Sequence, residues 1–152
     1  MRILQYEKLA ENTEEVGLIL EEKDIADSIQ IIEDYNRKLK DNECNNAEAN
    51  KIAQSKLAGA FGEVDIAWAV VESAKENMEL KFYYEEKGKY EDKGSDVKFN
   101  ATATKEKGRA LTNEYRKVRN YLQAYKEAAQ QNIIVLQSLL KDIRAEKGSH
   151  AE

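Results

Sequence analysis

Leu57, Val64, Val71 and Met78 recur at intervals of seven residues, and a second row of the same period, Ala53, Ala60, Ala67 and Ala74, contains only alanine. Seven residues are close to two helical turns, so both rows lie on one side of a helix. Phe61, Trp68 and Phe82 flank that face. A row of alanines lets a second helix approach closely. Gly59 and Gly62, inside the stretch KLAGAFGEVDIAWAVV, adjoin the seam. Each costs a helix interior about 1 kcal/mol relative to alanine, so a reason is required. The reading adopted is that they widen the small-residue surface where a partner helix crosses, a kink or a ligand contact being the alternatives. A phosphate loop does not fit, because GAFG has no strand before it and no Lys-Ser/Thr after it.

The partner helix lies further along the chain. Leu111, Val118, Tyr125, Asn132 and Leu139 form one seven-residue row, and Tyr115, Leu122, Ala129, Leu136 and Ile143 form another, offset by four. The two rows predict an uninterrupted apolar stripe from about Thr104 to Arg144. Between the two helices, residues 87–104 carry Gly88, Gly94, Ser95 and Asp96 and read as the linker. The expected fold is all-α: a long antiparallel hairpin of about 46–86 and 104–145 with shorter N-terminal helices packed on it. One of these follows from Ile25, Ile29, Ile32, Tyr35 and Leu39, with Asp24 as its cap and DNECNN as its end. Val16 to Leu20 reads as a further helical turn. Residues 1–44 and the hairpin of 45–146 then form a single domain, with 147–152 a frayed tail containing His150. A hairpin this long exposes more apolar stripe than the N-terminal helices cover, which predicts a homo-oligomer.

Composition agrees with helices: the chain has no proline, and 35% of its residues are charged. It has neither an apolar run long enough to span a membrane nor a secretory signal at its N-terminus, so no membrane association and a cytoplasmic location are expected. Cys44 is the single cysteine and His150 the single histidine, which leaves no Cys/His set for a metal, and no cofactor is expected. Glu63, Asp65, Glu72 and Glu76 lack the Glu-x-x-His pairs of a di-metal bundle, and Ser55 or Cys44 would lack a histidine base. The chain therefore reads as non-enzymatic. Asn132, polar on an apolar row, is expected to specify helix register.

Charge distribution supplies the candidate surfaces. Net charge is −5, yet residues 97–119 sum to +5. Within them Lys98, Lys105, Arg109, Arg116 and Arg119 could form a basic stripe beside Tyr115 and Tyr121, able to hold phosphates while the tyrosines stack on bases. The other reading is a helix flank that is solvated or paired with the acidic residues 1–48. Phe82, Tyr83 and Tyr84, at the hairpin end, are candidate aromatic anchors for a protein partner.

The order of a small-residue-rich helix, the stretch FYYEEKGKYED, a short linker with Lys98 and Thr102 or Thr104, and a helix continuing as YRKVRNYLQAYKEAAQ resembles small all-helical proteins of tailed bacteriophages over roughly residues 45–146. The likeness is one of spacing and composition. It implies an accessory protein of infection, acting in the host cytoplasm on a protein partner in host or phage nucleic-acid machinery. Direct single-stranded nucleic-acid binding through residues 98–119 and oligomeric sequestration of a small ligand or nucleotide are the alternatives.

Overall fold

A computed structural model describes residues 2–92 and 98–150. Among these residues the chain forms α1 (Arg2–Leu9), a 3₁₀ turn (Val16–Glu21), α2 (Lys23–Lys40), α3 (Ala47–Asp92), α4 (Ala101–Leu111) and α5 (Asn113–His150), with no strand. The all-α class and the two long helices are thus as the heptad rows required. The described residues divide into two compact units that share α3 and α5. The first holds residues up to Ile19 and Trp68 to Asn120; the second holds Leu20–Ala67 and the residues from Tyr121 onward.

In the second unit α3 and α5 run antiparallel, since Asp65 pairs with Lys126 at 2.7 Å while Asn50, earlier in α3, donates to the Leu136 carbonyl, later in α5, at 2.9 Å. Ala53, Leu57, Ala60, Val64 and Ala67 are all buried, as are Leu122, Ala129, Leu136 and Leu140. The helix α2 contributes Ile25, Ser28, Ile32 and Tyr35, spaced three and four apart on one face. Its start corrects the expected cap. Glu22 occupies the N-cap position without a side-chain cap bond, and Asp24 lies in the first turn, where its charge still favours the helix N-terminus. At the other end Asn42 adopts a φ of 57°, a left-handed conformation that asparagine tolerates better than most residues, and helix ends there as DNECNN suggested. Asn46 then starts α3 by accepting from the Ala49 N–H at 2.8 Å.

Asn132 does make a specific polar link, its amide donating to Asn36 of α2. Gly59 and Gly62 do not act as expected. A Cβ built at either would meet nothing within 4 Å, because each falls beside the buried alanine row and not on it. Among the described residues no helix crosses closely over them.

The first unit buries Tyr6, Ala10, Val16 and Ile19 from the N-terminal segment together with Val71, Tyr115 and Val118. Tyr115 donates its hydroxyl to the Ala10 carbonyl at 2.8 Å, tying the end of the α1 segment to α5. Here too α3 and α5 are antiparallel, with Glu72 on Arg119 and Glu79 on Arg116. The linker is shorter than residues 87–104: α3 continues through Gly88 to Asp92, and Asn100 caps α4 by accepting from the Ala103 N–H at 3.0 Å. Gly94, Ser95 and Asp96 lie outside the described residues. At the C-terminal end, helix extends through Lys147 to His150 in place of the frayed start expected there.

The second stripe is interrupted. The helices α4 and α5 meet at Thr112, and Leu111 is 56% exposed although its row marked it as core. Thr104, Gly108 and Thr112, four residues apart, occupy the buried face instead. The Thr112 hydroxyl lies 2.7 Å from Glu79 Oε1, 3.1 Å from the Gly108 carbonyl and 3.3 Å from the Arg109 carbonyl. Its single proton serves one acceptor at a time, and this attachment to α3 turns Thr112 inward and Leu111 outward. No helix among the described residues is long and apolar enough to cross a membrane.

Candidate partner-binding cleft

Beyond Val71 the α3 seam changes character. Lys75 is the next buried position, its ammonium 3.0 Å from Glu72, and Glu72 also accepts from Arg119 at 3.1 Å. Burial acts to raise the Glu72 carboxyl, but hydrogen bonds and charge from Lys75 and Arg119 outweigh it and hold the group below its ordinary 4.5. One turn further on, Glu79 accepts from both Arg116 and Thr112. These contacts anchor α5 to α3.

The short helix α4 meets α3 at Gly108. A Cβ there would stand 3.4 Å from Phe82 Cδ1 and 3.9 Å from the Glu79 carbonyl, so the absent side chain permits a close approach. Beside this contact is an open cleft of about 620 Å³. Leu80, Tyr83 and Tyr84 supply its aromatic and aliphatic wall, Lys105 and Arg109 its basic wall, and Glu76, Glu79 and Arg116 complete its lining. Leu80 is 54% and Tyr84 63% exposed. The wall is joined to further rings by edge-to-face contacts: Tyr83 lies 5.4 Å from both Tyr84 and Phe99, and Phe99 lies 5.8 Å from Tyr90. Lys105 Nζ is 5.9 Å from the centre of the Tyr83 ring.

The candidate residues therefore separate into groups. Lys105, Arg109, Arg116, Tyr83 and Tyr84 converge on the cleft, with Phe82 half-buried against Gly108. Lys98 is exposed ahead of α4. Arg119 is engaged by Glu72 and by Asn120 Oδ1, the latter at 3.0 Å from Nη2. Tyr115 is a correction: it is fully buried and its hydroxyl is committed to Ala10, so its ring is closed to a stacked base. Tyr121 is exposed in the second unit and tilted against Tyr125 at 5.1 Å. Among the described residues Arg116 and Arg119 meet Glu79 and Glu72 of α3, whereas the sequence offers the acidic residues 1–48 as their partners.

Glu79, Leu80, Gly108 and Thr112 were missed by sequence reasoning. The available signal was Gly108, an isolated glycine within a helical pattern, followed four residues later by a hydroxyl. Arg116 adds a buried Nε–H that has no acceptor among the described residues. No group of three or more His, Cys, Asp or Glu among those residues is placed to hold a metal ion. Comparison with protein-family models, curated proteins and solved structures finds no match to the chain.

Proposed function

We propose that the protein is a non-catalytic helical binding module that engages a protein partner through the cleft between α3 and α4. The observation that carries this reading is the pairing of two large exposed apolar residues, Leu80 and Tyr84, with a cleft of about 620 Å³ on an ordered aromatic support. Aromatic anchors beside a concave surface commonly dominate the energy of protein interfaces. Direct nucleic-acid binding is less favoured, since Arg116 and Arg119 of the basic stripe have carboxylate partners and Tyr115 is buried. The resemblance to phage accessory proteins supports a partner within host or phage nucleic-acid machinery.

The test is affinity capture with wild-type chain and the Leu80→Ala/Tyr84→Ala double variant from nuclease-treated extract of source cells. A protein recovered by wild type and lost with the variant is the expected result. Recovery equal in both, or recovery that vanishes with nuclease, counts against the reading. Self-association is proposed as well, through the second unit, where Ile52, Ile134 and Val135 are each about half exposed. Light scattering at micromolar concentration should then give a mass above that of one chain, and a monomeric mass would remove that proposal.

A further inference from the structure

We infer that the segment received by the cleft is an acidic peptide carrying one large apolar side chain, an inference that rests on the cleft being the docking site. Lys105 and Arg109 stand one turn apart on α4, both exposed, and neither has an ion-pair partner among the described residues. The chain carries a net charge of −5, and the neighbouring Arg116 and Arg119 are each paired with a glutamate of α3. Two adjacent like charges on one helix face repel, and an incoming carboxylate relieves that repulsion while a basic segment increases it.

The opposite wall fixes the orientation. Its acids are Glu76 and Glu79; Glu79 is compensated by Arg116 and Thr112, whereas the exposed Glu76 carboxylate repels the carboxylates of a ligand and turns them toward α4. That side offers Leu80 and Tyr84 instead, also one turn apart. A bound segment therefore places carboxylates toward α4 and a leucine or aromatic side chain toward α3. The close approach of Gly108 to Phe82 holds α4 against α3, so the charged pair and the apolar pair line one cleft.

The experiment is selection of a random dodecapeptide library on the full chain, followed by fluorescence anisotropy of the enriched peptides. Three proteins are compared: wild type, Lys105→Glu/Arg109→Glu, and Leu80→Ala/Tyr84→Ala, each checked for helicity by circular dichroism. Wild type should enrich peptides rich in Asp and Glu around one Leu, Phe, Tyr or Trp. Their affinity should fall about tenfold or more in the charge-reversed variant, and also in the apolar variant. Enrichment of neutral apolar peptides that bind wild type and the charge-reversed variant equally, but not Leu80→Ala/Tyr84→Ala, overturns the acidic assignment and leaves the docking reading intact. No enrichment, or peptides indifferent to the loss of Leu80 and Tyr84, overturns both. Displacement of an acidic peptide by an equal concentration of dodecathymidylate overturns the inference in favour of a general polyanion site.

Discussion

Both units use α3 and α5 in the same antiparallel sense, yet they hold the two helices by different chemistry. The second unit relies mainly on an alanine row, with Ala53, Ala60 and Ala67 buried, joined by the Asn50 amide on the Leu136 carbonyl and by the ion pair of Lys126 with a half-exposed Asp65. The first relies on charge, through Glu72 with Arg119 and Glu79 with Arg116, and on the Thr112 hydroxyl. Small apolar side chains leave no reason for water to enter, whereas long charged ones keep partly solvated heads and separate the surfaces they join. The cleft lies in this charged unit, and its lining residues come from the same turns as the ion pairs.

The sharpest way to break this comparison is to insert the same side chain into the alanine row once in each unit. Ala67→Leu adds three carbon atoms at a position with no exposure, and should destabilise the chain by about 1–3 kcal/mol in calorimetric or denaturant unfolding. Ala74→Leu, half-buried in the first unit, should cost clearly less. Equal losses would mean that the two stretches of seam are packed alike. Next in size is Tyr115→Phe, which removes the hydroxyl that satisfies the Ala10 carbonyl and should cost about 1–2 kcal/mol. A change near zero would show that water replaces the hydroxyl and that the first unit is wetter than its burial indicates.

How far the sequence could be read differs between the units for the same physical reason. The second unit was legible because apolar burial is periodic: Leu57, Val64, Ala60 and Ala67 are core, as their seven-residue spacing required. In the first unit the same counting assigned Leu111 to the core and ran one helix through Thr112. A hydrogen bond from Thr112 to a glutamate 33 residues earlier overrides the local pattern, and periodicity contains no information about such a pair. Charge patterning marked the basic residues, but it could not say that Arg116 and Arg119 face carboxylates while Lys105 and Arg109 do not. Tyr115 was misread because a tyrosine beside arginines looks like a stacking platform. Its own row, with Leu122, Ala129 and Leu136, already marked it as core.

Acid should expose the electrostatic half of the comparison. The Glu72 carboxyl is held below its ordinary 4.5 in the folded chain. Its stabilising contribution is therefore complete above that unfolded value and is lost as pH falls through the depressed folded one. Glu72→Gln should lower stability at neutral pH and flatten the decline of melting temperature below about pH 5. An acid limb as steep in the variant as in wild type would assign the decline to other carboxylates.

The smallest expected effect concerns the glycines of the alanine-rich stretch. Gly59 and Gly62 sit in regular helix, and a Cβ at either position meets nothing within 4 Å. Alanine at these sites removes conformational freedom from the unfolded chain without introducing a clash, so Gly59→Ala and Gly62→Ala should each stabilise by about 0.4–1 kcal/mol. This gain would establish that close approach at the second unit belongs to Ala60 and Ala67 alone. The opposite sign would be more informative. Should either substitution destabilise the protein at high concentration and leave it unaffected under dilution, the small-residue surface would lie against a second copy. The close helix crossing inferred from the sequence would then be a contact between chains, and concentration-dependent unfolding of Gly59→Ala would locate it.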